Sequence, residues 1–136
     1  MEYHVDGLDG MKDLAKKIAP HITKGDVVFL RGDIGSGKTT LMKFLLKFLK
    51  VKTEVVSPTF AIVNVHKKSK IGKINHFDLY RIEELDELRE IGFDELLCSG
   101  TSFIEWPEII ENKVKDVKEV YITKLDDNQR MVKLWF

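Results

Sequence analysis

The chain has 136 residues, 43% of them hydrophobic and 32% charged, with 22 lysines plus arginines against 22 aspartates plus glutamates. One domain with a substantial core is the expected scale, and the zero net charge argues against a protein that grips DNA or RNA through bulk charge. The single Cys98 excludes an intramolecular disulfide framework and any multi-cysteine metal site, and beside Leu96-Leu97 it reads as a small buried hydrophobe.

In chain order, Met1-Glu2-Tyr3-His4-Val5-Asp6 lacks the basic-then-apolar run of a signal peptide, and Tyr3 to Val5 reads as a short edge strand. No stretch reaches the eighteen or so apolar residues of a membrane span, so a cytoplasmic protein without membrane contact is expected. Leu8 to Ala19 has helical periodicity, with Leu14, Ala15, Ile18 and Ala19 on its apolar side and Pro20 as the stop. Gly25-Asp26 turns the chain into an apolar strand, Val27 to Leu30.

Next comes Gly32-Asp33-Ile34-Gly35-Ser36-Gly37-Lys38-Thr39-Thr40, which matches the P-loop pattern G-x-x-x-x-G-K-[ST]. Glycines let the backbone wrap a polyphosphate with its N–H groups inward, and the following helix N-terminus adds a favourable dipole. Lys38 is placed to reach the outer phosphates, and the Thr39 hydroxyl to take one position on Mg²⁺. A buried-type strand before the motif and a helix after it supply the context that the chemistry requires.

The helix after the P-loop carries Leu41, Met42, Phe44, Leu45, Leu46, Phe48 and Leu49, leaving only Thr40, Lys43, Lys47 and Lys50 as a polar stripe. It is expected to be an otherwise buried cylinder in the middle of the domain. Beyond Val51–Val56 lies Ser57-Pro58-Thr59-Phe60. The runs Phe60 to His66 and Lys73 to Leu79 then form an expected hairpin around the lysine-rich Lys67-Lys68-Ser69-Lys70-Ile71-Gly72. Those lysines read as a solvated tip, and they are the best candidate for a basic contact with a partner.

Glu83 to Ile91 is an expected helix ended by Gly92, Asp94–Cys98 another helical turn, and Thr101 to Trp106 a strand closed by Pro107. Glu108–Glu111 suits a short helix, and Val117–Leu125 with Arg130–Phe136 a C-terminal hairpin. With no internal repeat or linker, the whole reads as a single α/β P-loop NTPase domain over residues 1–136. Its mixed sheet is flanked by helices and ends in the hairpin.

Hydrolysis of a triphosphate also needs a carboxylate on the metal and a group that holds the attacking water. Asp78 and Glu105 each close an apolar strand at the end where a P-loop lies, and either suits either role. Thr59, about twenty residues past Lys38 in a loop stiffened by Pro58, is a candidate sensor of the γ-phosphate. Trp106 is either a core residue or an aromatic surface near the nucleotide or a partner. Thr123-Lys124-Leu125-Asp126 looks like the guanine-reading element of GTPases. No Asp-x-x-Gly follows either acidic strand, however, and only ten residues follow Asp126, so GTP specificity is not expected.

The series of motifs resembles one family. The P-loop, Ser57-Pro58-Thr59-Phe60, His76-Phe77-Asp78-Leu79-Tyr80-Arg81 and Ile104-Glu105-Trp106-Pro107 occur in the order found in the TsaE (YjeE) family. Its members are small bacterial P-loop ATPases of tRNA threonylcarbamoyladenosine synthesis. The resemblance covers nearly the whole chain and implies ATP with Mg²⁺, hydrolysis that is feeble alone, and association with the TsaB–TsaD heterodimer. That pair transfers the threonylcarbamoyl group to adenosine 37, so tRNA would be met indirectly through the complex, and DNA not at all. Position by position, the resemblance implies that Asp33, Ile34, Gly35, Ser36, Gly37, Lys38, Thr39 and Thr40 bind the phosphates. Thr39 and Glu105 would hold Mg²⁺, and Asp78 would be the hydrolysis-linked acid. Thr59 would lie in a switch-like loop and Trp106 near the site. Met11 and Arg130 would be further nucleotide contacts, although many members carry threonine where this chain has Met11.

Two other classes compete. A small-molecule or nucleoside kinase would need a substrate lid and clamping arginines, yet the chain has only Arg31, Arg81, Arg89 and Arg130 and no evident lid insertion. A nucleotide-switched binding module would use the same loop with hydrolysis incidental.

Overall fold

The computed structural model describes residues 1–52 and 62–136. The expected Ser57-Pro58-Thr59-Phe60 loop, with Thr59, lies outside the described residues. Seven strands form one sheet: β1 (Glu2–Asp6), β2 (Val27–Arg31), β3 (Val63–His66), β4 (Ile74–Asp78), β5 (Thr101–Glu105), β6 (Lys118–Lys124) and β7 (Gln129–Trp135). Their order is β1-β7-β6-β2-β5-β4-β3. The inner strands β6, β2, β5 and β4 are parallel, whereas β3, β7 and β1 join antiparallel at the margins. The expected edge strand and both hairpins are therefore present.

Period-two alternation explains how the sheet is covered. Val28 and Leu30 of β2 join a core with Leu14 and Ile18 of α1 (Gly7–Ile18) and Leu41 and Leu45 of α2 (Lys38–Phe48). The intervening Phe29 joins a second core with Phe77, Ile104, Leu88 of α3 (Leu85–Glu90) and Phe93 of α4 (Phe93–Ser99). Strands β2 and β5 are covered on both faces, whereas β6 exposes Tyr121 and Thr123; this is why β5 reads Thr-Ser-Phe-Ile-Glu and yet every one of its residues is buried.

Two expectations are corrected. Helix α2 buries Leu41, Met42, Leu45 and Leu49, but Phe44, Leu46 and Phe48 are only partly buried, because the helix lies in an outer layer with one side on the sheet. Cys98 is exposed. Leu96 and Leu97 take the turn of α4 that faces the second core, leaving Cys98 on its outer side. The expected helix from Glu83 begins at Leu85 and gives way to α4 through Gly92, whose φ of 71° is costly for any side chain with a Cβ.

Strand order places the functional end. After β2 the chain crosses to one side for β4 and β5 and later returns to the other for β6, so β2 marks a switch point whose carboxyl end opens a crevice. The glycine-rich loop leaves β2 into that crevice. Asp78 and Glu105 end the neighbouring strands beside it as register partners.

Candidate nucleotide site

The loop from Gly32 to Gly37 follows an uncommon backbone path, with φ of 147° at Gly32, 78° at Gly35 and 113° at Gly37. At Gly32 the reason is close approach. A Cβ there would stand 2.6 Å from the Ile122 carbonyl oxygen and 2.6 Å from Ser36 Oγ. The Ser36 N–H donates to the Asp33 carbonyl at 3.0 Å, closing the turn, and the Leu41 N–H donates to the Gly37 carbonyl at 2.9 Å, opening α2. The N–H groups of Gly37, Lys38, Thr39 and Thr40, between these two bonds, have no backbone acceptor among the described residues and stand where an anion would meet them.

Lys38 is 6% exposed although it begins a helix. Its ammonium donates to the Gly32 carbonyl at 2.5 Å and lies 3.5 Å from the centroid of the Trp106 ring. Burial pushes its pKa below the ordinary lysine value, opposed chiefly by the carboxylates of Glu105 and Asp78. The lysine is thus a desolvated cation facing two acids, and both of its present partners are weaker than a phosphate.

Glu105 is 5% exposed at the end of β5, and its Oε2 lies 2.6 Å from Nε2 of His76 on β4. His76 and Asp78 stand two residues apart, so they share the sheet face of Glu105, the face that α2 covers. Asp78 is exposed; its Oδ1 accepts from the Tyr80 N–H at 3.1 Å, while the Leu79 N–H donates to the Glu105 carbonyl at 3.1 Å. The Tyr80 ring then meets Trp106 at 4.8 Å between centroids. Trp106 takes a left-handed φ of 56°, turning its indole back over the cleft.

These groups surround a cleft of about 440 Å³. Of the residues expected at the site, Ile34, Gly35, Gly37, Lys38, Thr39, Thr40, Asp78, Glu105, Trp106 and Arg130 line it, joined by Tyr80. Asp33 is exposed on the rim, and Ser36 is buried behind the loop with its Oγ unpartnered. Met11 is buried beneath Gly37, its Cε 3.0 Å from where a Cβ would stand, and lines an adjoining pocket of about 130 Å³ with Asn128. Gly37, Thr40 and Arg130 border both spaces, so they run together around the loop.

Arg130 ties the loop to the C-terminal hairpin. Its Nε donates to the Ser36 carbonyl at 2.7 Å and Nη2 to the Gly35 carbonyl at 3.4 Å, while Nη1 donates to the Asp126 carbonyl at 2.6 Å. By engaging carbonyls on the outside of the loop it leaves the N–H side turned inward. Asp126 of the guanine-reader look-alike is itself occupied, accepting from the Asn128 and Gln129 N–H groups at 2.8 and 2.7 Å. Those two bonds hold its carboxyl below the ordinary range, and they make it a turn cap.

The donor set fits Mg²⁺ bound with a phosphate ligand. Among the described residues no group of three or more His, Cys, Asp or Glu side chains is arranged to hold a metal alone. A hydroxyl at Thr39 and one or two carboxylates facing a phosphate cradle is the arrangement Mg²⁺ takes when substrate oxygens and water complete its shell. His76 and Tyr80 carry site roles that the sequence reading did not assign. The i, i+2 spacing of His76 and Asp78 on a strand was the available signal.

A mixed, largely parallel sheet with a glycine-rich loop and lysine between β2 and α2 defines an α/β domain of the P-loop class. The sequence model described as threonylcarbamoyl adenosine biosynthesis protein TsaE matches residues 5–132, and the chain belongs to that family. Among curated relatives, the tRNA threonylcarbamoyladenosine biosynthesis protein TsaE of Aquifex aeolicus is 40% identical over 124 residues, covering 90% of this chain and 86% of its own length. That of Rickettsia prowazekii is 38% identical over 122 residues, covering 88% and 84%. In three dimensions the chain resembles Bacillus subtilis YdiB with a TM-score of 0.76 at 24% identity, covering 98% of this chain and 83% of that one. The family places the protein in tRNA threonylcarbamoyladenosine biosynthesis.

Proposed function

We propose that the protein binds and hydrolyses ATP with Mg²⁺ as a subunit acting on the TsaB–TsaD pair, which carries out the threonylcarbamoyl transfer. The observation that carries this reading is the buried Lys38 facing Glu105 and Asp78 across one cleft of about 440 Å³. Lys38 exchanges the Gly32 carbonyl for outer phosphate oxygens, and the inward N–H groups of the loop hold the inner ones. Thr39 and Glu105 hold the Mg²⁺, which when bound neutralises charge on the phosphate oxygens. Asp78, exposed beside them, orients the water.

Feeble activity in isolation has a physical reason in this arrangement. Asp78 is exposed and Tyr80 is 54% exposed, so the outer wall of the cleft stays open to solvent. A partner closing over that wall would exclude water and strengthen every charge interaction inside. Against a kinase, Arg31 is engaged by Glu111 and Glu119 and Arg130 by the loop itself, which removes two of the four arginines from clamping a second phosphorylated ligand. Cytoplasmic location follows as part of the same reading, and no helix among the described residues is long and apolar enough to cross a membrane.

The deciding experiment is multi-turnover tRNA modification by a TsaB–TsaD mixture with and without this protein. Sustained turnover only in its presence, lost with Lys38→Ala, is the expected result. Modification independent of the protein, or full rescue by Lys38→Ala, would refute the proposal.

A further inference from the structure

The zero net charge conceals a polar distribution. The crevice end of the sheet gathers carboxylates, and Lys38 feels Glu105, Asp78, Glu108 and Asp33 there. The opposite end, where the parallel strands begin, gathers lysines from three separate stretches of chain. The loop between β3 and β4 folds against the last turn of α2, with the Lys70 N–H donating to the Leu49 carbonyl at 2.7 Å and the Lys52 N–H to the Lys68 carbonyl at 3.3 Å. Lys24, just before β2, reaches the same loop, its Cε 3.8 Å from where a Cβ on Gly72 would stand. Ser69 Oγ donates to the Gly72 carbonyl at 2.6 Å and accepts from the Ile71 N–H at 3.1 Å, so the tip is a built turn.

Lys24, Lys50, Lys52, Lys67, Lys68 and Lys70 therefore share one pole, and among the described residues none of them is ion-paired. Lys118, Lys124 and Lys133 are paired with Asp26, Asp127 and Glu2, whereas Lys12, Lys43, Lys47 and Lys113 are in no ion pair among the described residues, so what sets the pole apart is the gathering of six lysines from three stretches. Like charges gathered at one end of a molecule by backbone hydrogen bonds repel one another, and an arriving polyanion relieves that repulsion.

We propose that this lysine pole binds the phosphodiester backbone of RNA directly. The residue type decides between RNA and an acidic protein surface. Lysine is depleted from protein–protein interfaces, which need an apolar core, whereas nucleic-acid interfaces are strongly positive and dominated by phosphate contacts. Compact ammonium groups on flexible stems suit phosphates read without sequence preference. RNA contact here stands apart from nucleotide binding at the opposite pole and adds a direct contact to the indirect route through partner proteins.

The test is fluorescence anisotropy of an end-labelled tRNA transcript with the full chain across a KCl series. Three or four phosphate contacts give a slope of log K against log[KCl] of about −2 to −4. Lys67→Gln/Lys68→Gln/Lys70→Gln is expected to weaken binding about 10-fold or more at low salt and flatten the slope by about 2. A control with the same charge loss, Lys12→Gln/Lys124→Gln/Lys133→Gln, is expected to stay near wild type. The arginine triple at 67, 68 and 70 is expected to keep RNA affinity, and a fluorescent ATP analogue measured alongside reports folding and the state of the other pole. Absence of RNA binding by the wild type, equal loss in the control, or wild-type binding by the glutamine triple would overturn the proposal. So would competition by polyglutamate as effective as by RNA, which would mark an acidic protein as the partner.

Discussion

His76 Nε2 lies 2.6 Å from Glu105 Oε2, so the buried carboxylate facing the P-loop is held from the neighbouring strand. Register makes this possible, because His76 precedes Asp78 by two residues and Asp78 sits directly opposite Glu105. A hydrogen bond to a charged group contributes about 1.5–3 kcal/mol. His76→Ala is therefore expected to lower the apparent Mg²⁺ affinity of the nucleotide complex about 10-fold or more, with His76→Gln recovering part of it. Titration of Mg²⁺ against a fluorescent nucleotide checks this. Unchanged Mg²⁺ dependence in His76→Ala would remove Glu105 from the metal.

Lys38 and Trp106 form a built-in reporter. With the ammonium 3.5 Å from the ring centroid, transfer of Lys38 to a phosphate changes the indole's surroundings. The chain has two tryptophans, and Trp135→Phe isolates Trp106. In that background, Mg²⁺–ATP is expected to shift the Trp106 emission, and Lys38→Ala to abolish the response while weakening nucleotide binding at least about 10-fold. A nucleotide-induced shift that survives Lys38→Ala would contradict the contact.

On the proposed function Asp78 acts in turnover and not in binding. Among the described residues its exposed carboxylate accepts from the Tyr80 N–H alone, so Asp78→Asn is expected to leave nucleotide affinity within about 3-fold of wild type. Turnover in the presence of the partner proteins should fall by about 100-fold or more. Phosphate release under saturating ATP is the measurement, and wild-type turnover would move the role elsewhere.

Two glycines of similar sign but different surroundings should behave differently. Gly32 has φ 147° and a prospective Cβ 2.6 Å from a backbone carbonyl, whereas Gly25 has φ 92° and open space. Gly32→Ala is expected to cost at least about 2 kcal/mol in urea denaturation, since backbone must move. Gly25→Ala should cost about 1 kcal/mol, the strain of the left-handed conformation alone. Equal losses would mean that the loop is not packed against β6.

Asp26 anchors the start of β2 to β6. Burial opposes its ionisation, but the Lys118 ammonium at 2.7 Å and the Thr23 N–H at 2.8 Å outweigh that and hold its carboxyl below the ordinary 3.8. A depressed folded pKa means that the stabilisation is complete above about pH 3.8 and disappears as pH falls through the folded value. The stability difference between wild type and Asp26→Asn should therefore be constant from neutral pH to about 5 and shrink below 3.8. A difference that persists in strong acid would show that the charge does not contribute.

Much of the strand and helix pattern was legible because short-range rules govern it. The unbroken apolar run from Val27 to Leu30, the stop at Pro20 and the glycines before Lys38 are local facts. Helix α2 shows where that reading ends. Its composition says that it buries apolar surface, but whether it is enclosed or lies in an outer layer depends on which elements come to rest beside it. Cys98 fails for the same reason, since its exposure follows from the orientation of α4 and not from its apolar neighbours.

By itself the sequence determined the phosphate loop and the strand-end acids, because glycine conformational freedom and chain spacing are properties of adjacent residues. It also carried the ordered motifs that the family match bears out. Only the tertiary structure decided that His76 holds Glu105, that Arg130 braces the loop from the far hairpin, and that lysines from three stretches meet at one pole. Each of these joins residues far apart in the chain. Their distance is fixed by strand order and register, which arise only once the whole sheet has assembled.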